Sequence, residues 1–359
     1  MKIKKALVIA PNGPEASFGG GQRTLMAIKL LQEKGFEVEM LLLIDIGWGI
    51  YGNESYIIQK WRKENAMVKY FQPSFRHPYI IDFGIHNWLR KNQHDYELLI
   101  FRDETTAFKA GFYFLPKEKI IIDLNDFHFP HVTGYRKIKY LPLNILLKNR
   151  IKKAWVLTEG QRAYVGKKAY CVQNLPLAAY SRNGLQNFKK SRTTFPSLLF
   201  VGSYIDHLLI FLDAAHKDLI QIPSLKIYLV SRAATEENKT NFNHPIYEWH
   251  NSADDVTAFY SKAWISIIPV YKREGPLIKL IESIYYDTPV VGTRMSLNGY
   301  ESFNKEEELL LCSDDVQTFI DNIKKMISDP AELDIRAAKL KKIALENFSP
   351  ANILAQDIF

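Results

Sequence analysis

Two glutamates, Glu274 and Glu282, stand with seven residues between them in the stretch Tyr271-Lys-Arg-Glu-Gly-Pro-Leu-Ile-Lys-Leu-Ile-Glu282. A carboxylate can accept hydrogen bonds from two neighbouring hydroxyls of a sugar or ribose ring. The apolar run Trp264–Pro269 before them reads as a buried strand, and the residues after Pro276 read as a helix, since proline suits a first helical turn. Such a helix start turns free N–H groups and the positive end of a dipole toward a ligand. Lys272, Arg273 and Lys279 add side-chain charge, so the segment suits a diphosphate flanked by hydroxyl-bearing groups. The plainer reading pairs Glu274 with Arg273 in a loop and puts Glu282 on a solvated helix face.

Three further stretches carry chemistry. In Pro11–Gln22 the run Gly19, Gly20, Gly21 precedes a helix and lets backbone approach a ligand. With Thr24 and Asp45 it imitates a nicotinamide-binding fingerprint, but the loop is too long and the third small residue is missing. Asp123–His131 crowds acids and histidines after a strand. There Asp126 or His128 could orient a hydroxyl or exchange a proton, or simply cap the backbone. No partner cluster suggests a metal, and no Asp-x-Asp occurs. Tyr135–Trp155 holds Arg136, Lys137, Lys139, Lys148, Arg150, Lys152 and Lys153 and no acid. It reads as a surface for anionic lipid or as a solvated helix face; no nucleic-acid module appears.

The elements that must position these groups follow from the chain as a whole. Its 359 residues, 47% hydrophobic and 24% charged, suit two globular domains. The run Ala6–Ala10 is too short for a signal-peptide core, and no stretch is long and apolar enough to span a membrane. Cys171 and Cys312 lie in opposite halves, which argues against a disulfide framework and for a cytoplasmic setting. The net charge of +8 points to an anionic partner.

Strands are expected at Ala6–Ala10, Glu37–Leu43, Glu97–Phe101, Lys119–Leu124 and Ala154–Thr158, with a helix over Gly20–Glu33. The rhythm returns with strands at Ser197–Val201, Leu225–Val230, Trp264–Pro269 and Pro289–Gly292, and helices at Leu208–Asp218, Ala253–Lys262 and Leu277–Tyr286. Alternation of this kind predicts α/β architecture: two Rossmann-like, doubly wound domains with ligands at the carboxyl ends of the strands. Tyr180–Pro196, rich in polar and basic residues, reads as the linker.

Glu-Gly-Pro-Leu-Ile-Lys-Leu-Ile-Glu282 followed by Asp287-Thr-Pro-Val-Val-Gly-Thr293 resembles the donor-site signature of retaining GT-B glycosyltransferases of bacterial family 4 (group 1). Leu199-Phe-Val-Gly-Ser203, Asp254-Asp-Val256 with Phe259-Tyr260, Val172-Gln-Asn174 and Phe348-Ser-Pro350 resemble other segments of that family. The resemblance implies domains at 1–180 (acceptor side) and 181–347 (nucleotide-sugar side), a helix at 348–359 returning to the first domain, and an active site in the cleft between the domains.

It also implies roles. Glu274 would contact the donor sugar and Glu282 the ribose. Gly275, Leu277 and Ile278 would offer N–H groups to the diphosphate, with Lys279 and, less directly, Arg273 and Arg232 as cations. Ser203, Gly20 and Gly21 would border the donor, and Asp126 and His128 the reacting sugar. Where the family commonly carries an Arg and Lys pair, Ser203-Tyr-Ile-Asp-His207 has none. The activity implied is transfer of a sugar from a nucleotide-sugar to an acceptor hydroxyl, retaining and without an essential metal or cofactor, in bacterial surface polysaccharide or glycoconjugate synthesis. The acceptor would be a glycan, a lipid-linked group or a protein, with the enzyme cytoplasmic or peripheral on the inner face of the membrane. The alternatives are a nucleotide-sugar epimerase, an inverting GT-B transferase and a silent nucleotide-sugar-binding subunit.

Overall fold

A computed structural model describes residues 3–11, 19–43, 67–71, 80–124, 134–176, 179, 188–251, 256–272, 276–304 and 309–359. The chain forms two compact units, one of residues 1–177 with 350–359 and the other of residues 178–349.

The first unit is built on a parallel sheet of seven strands. In chain order these are β1 (Lys4–Ala10), β2 (Phe36–Leu43), β3 (Met67–Phe71), β4 (Leu98–Phe101), β5 (Ile120–Asp123), β6 (Lys153–Val156) and β7 (Ala169–Cys171). Their order in space is β3-β2-β1-β4-β5-β6-β7. Helices α1 (Gly19–Glu33), α2 (Phe83–Asn92), α3 (Glu104–Lys109), α4 (Gly134–Arg150) and α5 (Glu159–Val165) lie between strands. Ala6 to Ala10 are wholly buried, as expected of a parallel strand covered on both faces. The three glycines are not a loop before α1; they form its first turn. The basic stretch is also not one surface segment. It divides into α4 and β6, and Trp155 is fully buried, its indole N–H donating to the Ile358 carbonyl at 3.0 Å. Lys153 pairs with Asp357 at 3.0 Å, so the end of the chain beyond α12 (Pro350–Ala355) is fastened to the first unit.

The second unit repeats the plan with β8 (Ser197–Val201), β9 (Lys226–Val230), β10 (Tyr247–His250), β11 (Ile265–Ile268), β12 (Val290–Gly292) and β13 (Leu311–Cys312), in the order β10-β9-β8-β11-β12-β13. Its helices are α6 (Ile205–Leu219), α7 (Glu236–Asn241), α8 (Thr257–Lys262), α9 (Ile278–Tyr285), α10 (Val316–Ser328) and α11 (Pro330–Asn347). The linker reading fails over its second half, because residues 189–193 are lashed to the end of α8. Ser191 N–H donates to Ser261 O at 3.0 Å, and Thr193 N–H to Lys262 O at 3.2 Å.

In each sheet the direction of strand addition reverses once, between β1 and β4 in the first unit and between β8 and β11 in the second. Open α/β sheets bind ligands outside the carboxyl ends of the strands at such points. Among the described residues, no helix is long and apolar enough to cross a membrane.

Candidate functional site

The second unit's switch point is built from β11 outward. Ile265, Ile267, Ile268 and Val270 are buried, and Val270 N–H bonds back to Ile268 O at 3.0 Å in the turn that leads to Tyr271. Thr293 donates its N–H to Ile268 O at 3.2 Å and its hydroxyl to Val270 O, fixing that turn. Tyr271 N–H donates to His207 Nδ1 at 3.2 Å, tying it to the first turn of α6 after β8. A ring nitrogen that accepts leaves the proton of the neutral imidazole on Nε2.

Helix α9 begins after Leu277, an N-cap residue with φ −87° and ψ 108° that gives no side-chain hydrogen bond to the helix. Leu280 N–H bonds Leu277 O at 3.0 Å, so among the described residues the N–H groups of Ile278 and Lys279 are the ones left for another acceptor. By contrast, α7, α10 and α11 are closed by Thr235, Asp315 and Asp329. Pro276 does not open the helix. It lies two residues ahead, against Gly299, where an added Cβ would come within 2.5 Å of the proline ring. Ser283 Oγ bonds Ser266 Oγ at 2.9 Å and fixes α9 on β11.

Glu282 is not on a solvated face; it is only 5% exposed. Lys279, one turn earlier, donates to Glu282 Oε2 at 2.6 Å, and the Tyr260 hydroxyl donates to the same oxygen at 3.0 Å. Burial, and after it the nearby Glu282 charge, holds the Tyr260 phenol well above its usual range, so it remains a donor. Beside the site, at the ends of β11 to β13, lies a cavity of about 760 Å³ with Tyr271, Arg294, Asn298, Glu301 and Asp314 on its walls.

The structure therefore brings together Leu277, Ile278, Lys279 and Glu282. Ser203 and Arg232 are exposed in the turns after β8 and β9, and among the described residues neither bonds to that group. Gly20 and Gly21 lie in the first turn of α1 in the first unit, where Gly20 O accepts from Arg102 Nη2 at 3.3 Å. Arg273, Glu274, Gly275, Asp126 and His128 lie outside the described residues. Sequence reasoning missed the bond from Tyr271 N–H to His207 and that from the Tyr260 hydroxyl to Glu282. The usable signal for Tyr260 was a tyrosine one helix ahead of a buried strand, since a buried phenol needs a hydrogen-bond partner.

The first unit's switch point holds a different cluster. Asp123, at the end of β5, receives Arg23 Nε at 2.9 Å and Nη2 at 2.7 Å, together with Arg102 Nη1. Arg23 reaches on to Val172 O and Asn174 Oδ1, and Arg102 Nε to Thr24 Oγ1 at 3.1 Å.

Residues 195–329 match the family described as Glycosyl transferases group 1. No curated protein matches the sequence. Among solved structures, a glycosyltransferase from Rickettsia africae superposes with a TM-score of 0.70 at 14% identity, over 99% of this chain and 97% of that one. Anabaena HepE in complex with UDP gives 0.70 at 13%, over 99% and 98%. A TarM variant from S. aureus, in a complex that includes UDP, gives 0.71 at 11%, over 98% of each chain. These likenesses establish two parallel α/β sheets as in GT-B glycosyltransferases.

Proposed function

We propose that the chain is a nucleotide-sugar glycosyltransferase, a reading supported by the match of residues 195–329 to the glycosyl transferases group 1 family, and that its donor is held at the start of α9, with Glu282 on the ribose. The observation that carries this is a buried carboxylate whose two partners converge on Oε2 beside a helix start without a side-chain cap. Oε1 is then the oxygen that meets the ribose hydroxyls. The N–H groups at Ile278 and Lys279 take the diphosphate, and Lys279, in the first turn of the helix, turns between Glu282 and the phosphates. In this reading Glu274 contacts the donor sugar, and Gly275, Arg273, Ser203 and Arg232 line the approach of the donor. Gly20 and Gly21 border the acceptor and the donor phosphates, and Asp126 and His128 the reacting sugar. The developing diphosphate charge is met by protein cations and N–H groups without an essential metal. The transfer retains configuration, and its setting is bacterial surface polysaccharide or glycoconjugate synthesis in the cytoplasm.

Steady-state kinetics with the correct donor test this. Glu282→Ala removes hydrogen bonds to a charged group remote from the reacting bond, so the donor KM rises roughly 10- to 100-fold with kcat little changed. Glu274→Gln lowers kcat by about 100-fold or more while nucleoside diphosphate affinity persists. Activity survives EDTA. Near-wild-type kinetics in both variants would place the donor site elsewhere, and a magnesium-reversible loss in EDTA would end the metal-free reading.

A lipid-linked acceptor is favoured by α4. Ile138, Leu141 and Ile145 form a stripe along it that is 71%, 48% and 50% exposed, and Lys148 and Arg150 follow in its last turn. We infer peripheral contact with anionic membrane through this helix. The protein then sediments with anionic vesicles at low salt and is released by high salt. Equal behaviour on neutral vesicles leaves only a solvated helix.

A further inference from the structure

We propose that Tyr260 is a positioning residue for the donor site: it pins Glu282 so that Oε1 faces the ribose while Lys279 is free to leave for the diphosphate. This rests on the reading of Glu282 given above.

The geometry begins with a phenol that has nowhere to move. Tyr260 is fully buried, packed with Leu199, Tyr228, Val230 and Ala263 against the back of β8 and β9. Its ring stacks on Tyr286 at 5.1 Å with 20° between planes, and Tyr286 in turn meets Phe188 at 5.0 Å. Its carbonyl is held from below, accepting Lys190 Nζ at 2.7 Å and Thr288 Oγ1 at 3.3 Å. The ring is thus fixed at both its face and its backbone, and only the hydroxyl reaches Glu282.

The two donors on Oε2 differ in kind. Lys279 sits on a flexible four-carbon stem with a side chain 22% exposed, and it lies in the first turn of α9, whose start has no side-chain cap. An ammonium there is drawn to a diphosphate as soon as one binds. Glu282 then keeps a single protein donor. Were that donor absent, the carboxylate could rotate and exchange its oxygens just when the ribose must be held. A rigid phenol that donates throughout removes that freedom, which is the advantage of a preorganised site.

The test uses the full chain and calorimetric binding of UDP, GDP and ADP; the tightest of these is compared with its 2′,3′-dideoxy counterpart. Wild type prefers the ribo form by roughly 10-fold or more, as expected for hydroxyls bonded to a carboxylate. Tyr260→Phe, which keeps the ring stack, cuts that preference by at least about fivefold, while its unfolding midpoint stays within about 2 °C of wild type. Tyr286→Leu keeps the hydroxyl but loosens the ring; it gives a smaller loss of preference and serves as the second probe should Tyr260→Phe fold poorly. If wild type discriminates, Glu282→Gln abolishes the discrimination and both tyrosine variants retain it, the positioning role is overturned while the ribose reading stands. If wild type itself does not discriminate, the ribose reading fails and takes this proposal with it.

Discussion

Asp123 and Glu282 are both buried carboxylates at the switch point of a parallel sheet, each meeting two donor side chains, and they are built to opposite ends. Asp123 is saturated. Its two oxygens receive Arg23 and Arg102, and the pairs Arg23–Asp123 and Arg102–Asp123 have side chains no more than 3% exposed. The guanidiniums spend their remaining N–H groups on Gly20 O, Thr24, Val172 O and Asn174, so the cluster stitches α1, β4, β5 and the chain after β7 together. Glu282 gathers both of its donors on one oxygen, and Lys279 has access to water. A closed set of partners fixes a fold, whereas an ion pair with one committed oxygen and one mobile cation can exchange partners for a ligand.

The same chemical change at the two carboxylates should therefore have unequal effects. Asp123→Asn leaves two buried guanidiniums around a neutral amide, a change that costs about 3–5 kcal/mol. The midpoint of thermal unfolding then falls by on the order of 10 °C. Glu282→Gln frees a lysine that can turn to solvent, and its cost is nearer that of one lost charged hydrogen bond, about 1.5–3 kcal/mol. Thermal and urea unfolding of the two variants side by side measure the gap. Should Glu282→Gln prove as damaging as Asp123→Asn, Glu282 is a structural ion pair and the contrast collapses.

What was legible in the sequence divides along the sheets. The inner strands carry continuous apolar runs because both faces are covered, and each was readable. The strands that were not anticipated are β3, β7, β10 and β13, which are the four sheet edges. An edge pairs on one side only and tolerates short or polar sequences, such as Ala-Tyr-Cys in β7 and Tyr-Glu-Trp-His in β10. The site divides similarly. Lys279 and Glu282 share a helix face at i, i+3, which spacing alone exposes. Tyr260 reaches Glu282 only because α8 packs beside α9, and nothing local in the sequence encodes that approach. Asp123 was read as the start of an acid and histidine cluster, whereas its partners lie 100 and 21 residues away.

A third charge, the half-buried Lys190, extends the contrast to pH. Its ammonium bonds the Tyr260 carbonyl at 2.7 Å and Thr288 Oγ1 at 2.6 Å, both neutral acceptors. The acids nearest it are already engaged, Asp334 with Arg192 at 2.7 Å and Asp287 with Lys341 at 2.8 Å. Burial first, and the like charge of Arg192 after it, lower its pKa to about 7. In the unfolded chain a lysine titrates near 10.4. Between those values the unfolded chain binds a proton that the folded chain does not, so stability rises with pH. The slope reaches about 1.4 kcal/mol per pH unit. Below pH 7 the burden of burying the charge is constant, and above the unfolded pKa it is gone. Lys190→Met, similar in length but without the charge, lacks this component. Its urea midpoint should therefore gain on wild type most at pH 6 to 7, and the advantage should shrink steadily toward pH 9. A difference between the two proteins that stays constant over that range would mean Lys190 keeps its proton in the fold, balanced by Asp287 and Asp334 after all.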